Sequence, residues 1–336
     1  MTGQLADRRP SVPAAKLVAE LVPPPRFDAV RFDTYQPDPA QPSQARAVAV
    51  LQAYAASIPS RSGGGSLLGR LAGRSRPQPG RGIYLDGGFG VGKTHLLASL
   101  WHACPGPKAF GTFVEFTNLV GALGFAATVS ALTAYRLVCI DEFELDDPGD
   151  TVLMSTLLGR LAEAGVCLAA TSNTLPEALG EGRFAAEDFL REIQALSRRF
   201  DVVTIDGEDY RHRGLEPSPP PASDDEVVQR VAVVDGTVDD FDRLLAHLAQ
   251  VHPSRYGALV DGVPAVGWVG VHPVADQSVA LRLVVLSDRL YDRDVPLVAS
   301  GTPLDQVFTA ELLRGGYRKK YYRAVSRLTA LARTAS

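Results

Sequence analysis

Lysine is scarce in this chain: of 34 Lys and Arg residues, the lysines are Lys16, Lys93, Lys108, Lys319 and Lys320. Positive charge is therefore arginine, and a lysine inside a glycine loop, Lys93, stands out. Cysteine is also scarce. Cys104, Cys139 and Cys167 are odd in number and lack metal-ligand spacing, which excludes a disulfide framework and a thiolate metal centre. Two of them sit in apolar runs that read as buried strands, so reduced, structural thiols are expected. No apolar run reaches the roughly 18 residues needed to cross a bilayer, and Met1 to Pro10 is polar. The expectation is a soluble, cytoplasmic protein with no transmembrane segment. There is no excess of positive charge either: the net charge is −4, which draws no phosphate backbone, so no nucleic-acid signal is present. The histidines form no ligand cluster, and no Ser or Cys has the setting of a nucleophile.

What is there suffices for more than one domain: 336 residues, 46% hydrophobic and 21% charged. Residues 1–58 read as an N-terminal arm and helix, with 1–30 poorly packed and a helix over 43–58. The Gly, Arg and Pro of 59–81 mark a mobile loop. From Gly82 apolar strands alternate with longer helical segments, the sign of a parallel sheet wrapped by helices. The pattern predicts strands over 82–86, 109–115, 135–141, 166–172 and 201–205, and helices over 93–104, 117–124, 148–164 and 184–199. These make a core over 59–213. Residues 214–225 form a proline-rich linker, and 226–336 a C-terminal subdomain. That subdomain is expected to contain helix 238–251, apolar segments near 257–271, helix 276–291, strand 295–299 and a basic helix near 317–333. It reads as α/β or lid-like. Arg160-Leu161 with Val166-x-Leu168-x-Ala170-Thr171 echoes Arg289-Leu290 with Val295-x-Leu297-x-Ala299-Ser300, 129 residues later. Both a degenerate repeat and chance similarity of two helix-to-strand units fit; Gly270 stands where the first copy has Asp141.

Gly87-Gly88-Phe89-Gly90-Val91-Gly92-Lys93-Thr94 matches the P-loop pattern after an apolar strand and at a helix start. Glycines let successive N–H groups and the helix N-terminus face a β-phosphate, Lys93 bridges β and γ oxygens, and Thr94 ligates Mg²⁺. With His95 next in line, Gly87 to His95 is the expected ATP-binding segment. Leu137-Val-Cys-Ile-Asp141-Glu142 ends a strand in two carboxylates. Asp141 can hold Mg²⁺, and Glu142 can orient and deprotonate a water, which points to an ATPase. Asn173, at the tip of the next strand, suits positioning that water. Arg198 and Arg199 close a helix before strand 201–205, where an arginine can reach a γ-phosphate in a neighbouring subunit or serve only as helix-end charge. Arg318 to Leu328 is basic with interleaved tyrosines: a solvated face, a nucleotide-sensing arginine or an acidic-partner contact.

These residues, with Asp38-Pro39-Ala40-Gln41, Phe143, Asp209-Tyr210-Arg211, Leu290-Tyr291-Asp292-Arg293 and Ser326-Arg327-Leu328, resemble the ZapE/Afg-like ATPases of the AAA+ superfamily over nearly the whole chain. The resemblance implies a P-loop NTPase parallel sheet with helices on both faces, Asn173 as the sensor residue, and nucleotide-sensing arginines near Tyr210 and Ser326. It also implies a homo-oligomer that acts on a protein partner in cell division, the tubulin-like FtsZ. Val91 departs from the usual Arg, and the stretch from Thr117 to Tyr135 is shorter than usual. A DNA-loader-type ATPase and a small-molecule kinase are the rival readings.

Overall fold

The computed structural model describes residues 3–11, 13–59, 80, 82–88, 90–143, 148–173, 198–207 and 217–335. Residues 60–79 and Arg81 of the expected loop over 59–81, the bulk of helix 184–199, Phe89 and Asp209-Tyr210-Arg211 lie outside the described residues. The chain divides into two compact units, one within residues 14–23 and 27–212, the other within 1–13, 24–26 and 213–336.

In the first unit, short β-branched and aliphatic runs form β1 (Gly82–Gly87), β2 (Lys108–Thr112), β3 (Leu137–Asp141), β4 (Cys167–Ser172) and β5 (Phe200–Ile205). They pair in parallel in the order β2-β3-β4-β1-β5. The helices are α1 (Ala14–Ala19), α2 (Pro42–Ser57), α3 (Lys93–Ala103), α4 (Phe113–Leu123), α5 (Phe125–Leu132) and α6 (Pro148–Glu163). Ile83, Leu85, Leu137, Cys139, Cys167 and Ala169 face one side and join Ala47, Leu51, Leu96 and Leu100 of α2 and α3 in one core. The intervening Tyr84, Val138, Ile140, Leu168 and Ala170 are equally buried on the other side, where Tyr84 meets Phe143 and Phe200 edge-on. A sheet covered on both faces explains why its strands read as unbroken apolar runs. The expected strand 109–115 stops at Thr112 because Thr112 caps a helix: its Oγ1 accepts from Glu115 N at 3.2 Å and Glu115 Oε2 accepts from Thr112 N at 2.6 Å.

The N-terminal segment is not a poorly packed arm. Leu17 and Leu21 are buried, and Leu21 O accepts from Phe110 N at 2.8 Å along the β2 edge. In the second unit Leu5 is fully buried, and the N–H groups of Leu5 and Ala6 donate to Asp239 at 3.0 and 2.9 Å. A sheet edge or a buried carboxylate satisfied from a distant segment leaves no local periodicity to read.

The second unit contains α7 (Asp224–Ala232), β6 (Thr237–Asp240), α8 (Phe241–Gln250), α9 (Tyr256–Leu259), β7 (Val266–Val271), α10 (Gln277–Asp292), β8 (Leu297–Gly301), α11 (Ala310–Arg314) and α12 (Arg318–Thr334). It is an α/β body with a parallel sheet ordered β6-β7-β8. The expected helix 238–251 begins with a strand, β6, whose Thr-Val-Asp-Asp lacks the usual apolar signature. The echo is structural. β3 and β7 begin 129 residues apart, as do α6 and α10, and the pairing Lys108↔Leu137 recurs as Thr237↔Val266. The ion pair Arg160–Glu163 at 3.8 Å recurs as Arg289–Asp292 at 3.8 Å. In the first unit Leu85 pairs with Thr171, and the last two residues of β1 and the glycine loop separate it from α3. In the second, Ala222 bridges Ser300 and only the cap Ser223 separates it from α7. The second unit thus repeats the sheet-and-helix order without the glycine loop, and with acidic Asp224, Asp225 and Glu226 in the first turn of α7.

Arg323 and Arg327 on α12 both donate to Asp288 on α10, Arg323 at 2.9 Å. Burial by itself would raise the Asp288 carboxyl, but the two guanidinium groups hold it below the usual carboxylate range. Asp288→Ala, which takes the shared carboxylate away from two largely buried guanidinium groups, is expected to cost about 3 kcal/mol. A fall in the denaturant midpoint of the second unit reads this out, and an unchanged midpoint refutes it. Because the folded pKa is the depressed one, this contribution is complete above about pH 4. It fades as pH falls through the folded value.

Candidate functional site

The C-terminal ends of β1, β3 and β4 converge on the start of α3. After β1 the chain turns through Gly90 and Gly92, both at φ 84°. Gly92 caps α3, and a Cβ there would lie 2.6 Å from the Tyr35 ring, so no other residue fits that left-handed turn without moving Tyr35. Val91 turns its side chain into the core at 5% exposure, while its carbonyl accepts from Tyr35 Oη at 2.7 Å. Burial raises the Tyr35 phenol pKa, keeping it a donor.

Lys93 Nζ donates to Gly87 O at 2.7 Å, Gly88 O at 2.6 Å and Asn173 Oδ1 at 2.8 Å. Lys93 and Asn173, 80 residues apart, are therefore direct neighbours. Thr94 Oγ1 lies 3.0 and 3.2 Å from the two carboxylate oxygens of Asp141. Thr171 Oγ1 donates to Asp141 Oδ1 at 2.5 Å and accepts from Glu142 N at 3.0 Å. Phe143 N donates to Thr171 O at 2.7 Å. Glu142 has φ 54°, a left-handed backbone that a non-glycine residue adopts at a cost of roughly 1–2 kcal/mol.

Thr94 and Asp141 offer one hydroxyl and one carboxylate. Among the described residues no group of three or more His, Cys, Asp or Glu side chains converges. This oxygen-only pair fits a hard cation that completes its shell with phosphate oxygens and water, rather than an all-protein metal centre.

His95 is engaged with the N-terminal segment: its Nε2 lies 3.0 Å from Thr34 Oγ1 and 3.2 Å from Arg31 O, and its ring meets Tyr35 edge-on. Arg198 is exposed, and Arg199 lies 4.0 Å from Glu163. Both precede Phe200, which pairs with Gly82 at the start of β1, so they sit at the end of the sheet opposite the glycine loop. Of the arginines flagged for nucleotide sensing, Arg327 is bonded to Asp288 within the second unit. The three cysteines are buried and form no disulfide; burial raises the Cys139 thiol well above its ordinary value, which keeps it protonated and inert. Tyr35 was not singled out from the sequence, and Thr171 entered only as part of the polar strand tip Thr171-Ser172-Asn173, with the role given to Asn173. Thr171 had a signal, a hydroxyl in a strand tip, but its partners lie 29 and 30 residues away on another strand.

The sequence model of the AFG1-like ATPase family matches residues 11–232 and 219–335. The chain is 33% identical over 174 residues to the cell division protein ZapE of Escherichia coli K12, covering 47% of this chain and 46% of that protein. It is 30% identical over 159 residues to an uncharacterized protein of Schizosaccharomyces pombe, covering 41% and 35%. The match thus spans about half the length, or less, of these curated relatives. Among solved structures, the DnaI crystal structure superposes with a TM-score of 0.40 at 17% identity, covering 54% of this chain and 94% of DnaI. A putative primosome component from Streptococcus pyogenes gives 0.41 at 17%, covering 58% and 98%.

Proposed function

The chain belongs to the AFG1-like ATPase family, and from that premise we propose that it binds Mg·ATP through Gly87 to His95, hydrolyses it with Glu142 as base, and uses the cycle to act on another protein. The observation that carries this reading is the convergence of Lys93 with Asn173, and of Thr94 with Asp141, at one end of the sheet. Gly87, Gly88, Phe89, Gly90, Val91 and Gly92 supply backbone N–H groups and the α3 N-terminus to the phosphates. Lys93 exchanges its carbonyl partners for β and γ oxygens. Thr94 and Asp141 would hold Mg²⁺, which supplies neutralisation of charge on the phosphate oxygens. Glu142 takes the proton of the attacking water, and Asn173 orients it beside Lys93.

The cell-division reading is supported by the relative named a cell division protein; a homo-oligomer acting on FtsZ in the cytoplasm is what the family resemblance adds to it. No single helix among the described residues is long and apolar enough to cross a membrane.

Titration of a fluorescent ATP analogue tests the loop. Lys93→Ala is expected to weaken binding at least about tenfold, because a charge-assisted contact to phosphate contributes roughly 1.5–3 kcal/mol. Equal affinity in both proteins sinks the assignment. ATP turnover that needs an added small-molecule acceptor would instead favour a kinase. Salt-sensitive stimulation by DNA would favour a loader.

A further inference from the structure

We propose that Thr171 is a positioning residue for both carboxylates, a role that rests on the ATPase reading above. Its hydroxyl has one proton and two lone pairs. The proton goes to Asp141 Oδ1 at 2.5 Å, and a lone pair takes the N–H of Glu142 at 3.0 Å. Thr171 is 1% exposed, so bulk water cannot replace either bond. One atom thereby orients the carboxylate that faces Thr94 and anchors the left-handed turn that carries Glu142.

The repeat separates the two bonds. Ser300, 129 residues on, accepts from Gly270 N at 3.0 Å, and Gly270 also has positive φ, 74°. A hydroxyl at this strand end that fastens a positive-φ residue near the end of the neighbouring strand therefore recurs in both units, one position earlier in the second, where Gly270 lies within β7 at a break in its register with β8. The acceptor of its proton differs. Ser300 donates to Asp224 at 2.5 Å, in the first turn of α7, whereas Thr171 donates to the carboxylate that ends the neighbouring strand, beside Thr94. Gly270 and Val271 leave no carboxylate at the end of β7. The second unit thus keeps the backbone-fastening half of the device without the half assigned to the chemistry, and Ser300 measures what the hydroxyl contributes to folding.

The experiment compares Thr171→Val, which keeps shape and loses both bonds, with Thr171→Ser and Ser300→Ala. Thr171→Val is expected to lower kcat by about 10- to 100-fold, the usual effect of removing a group that orients a ligand or base. Affinity for the fluorescent nucleotide stays near wild type, the Mg²⁺ concentration needed for half-maximal turnover rises, and the Glu142 amide exchanges hydrogen faster. Thr171→Ser restores most of the kcat. Ser300→Ala lowers the melting temperature and leaves kcat alone. Wild-type kcat and Mg²⁺ dependence in Thr171→Val, or an equal loss of kcat in Ser300→Ala, would overturn the proposal. A wild-type protein that turns over no ATP would overturn the ATPase reading instead, and unchanged Glu142 amide exchange in Thr171→Val would then separately remove the hydrogen-bond assignment.

Discussion

Glu142→Gln is expected to lower kcat for ATP hydrolysis by at least about a hundredfold, within the range for loss of a general base, and to leave ATP affinity close to wild type. The geometry sets this direction. In the proposed reading affinity comes from Lys93 and the backbone N–H groups of the glycine loop, whereas Glu142 is assigned to the attacking water. The substitution is isosteric, and the bond that fastens the residue comes from its backbone N–H to Thr171, so the left-handed turn survives. What is lost is the capacity to accept a proton. Nucleotide titration and steady-state turnover on the same preparation check the split. Turnover within tenfold of wild type would move the base to another residue.

Specific activity is expected to fall on dilution, and replacing Arg198 and Arg199 together by Ala is expected to lower kcat by about a thousandfold, as for an arginine supplied in trans. Position supports a trans role over a cis one. Phe200 pairs with Gly82, and the loop begins five residues further on, so along β1 both arginines lie roughly 16 Å or more from their own loop at 3.3 Å per residue. An arginine side chain does not bridge that span. Arg199 has a local partner in Glu163 only at 4.0 Å across a largely exposed pair, an interaction too weak to explain its place. Excess Lys93→Ala subunits, which keep both arginines, should rescue dilute wild type. The triple variant Lys93→Ala, Arg198→Ala, Arg199→Ala should not. Concentration-independent turnover with no rescue would mean that each subunit works alone.

The glycine loop and the Asp141-Glu142 strand end were legible because both are contiguous and sit at strand ends with strong apolar runs. Strands 82–86, 135–141, 166–172 and 201–205 were legible for the same reason and match β1, β3, β4 and β5 closely. β6 was not, because four residues with two aspartates carry no hydrophobic signal, and its Asp239 is buried only because the N–H groups of Leu5 and Ala6 meet it. The second sheet was half visible: the echo marked α6 to β4 against α10 to β8, but only the matching pairing register distinguishes a repeat from two similar amphipathic units.

From the sequence alone came the candidate chemistry, since loop glycines, a lysine, a threonine and two carboxylates at fixed spacing point to what can be bound and what proton can move. Only the tertiary structure decided which groups act on one another. Lys93 meets Asn173, and Thr171 meets both Asp141 and Glu142, because parallel order brings β1, β4 and β3 side by side with their C-terminal ends level. The same order sends Arg198 and Arg199 to the far end. Spacing along a chain constrains residues on one element, whereas contacts across a sheet depend on strand order and register, which are set by how both faces are buried at once.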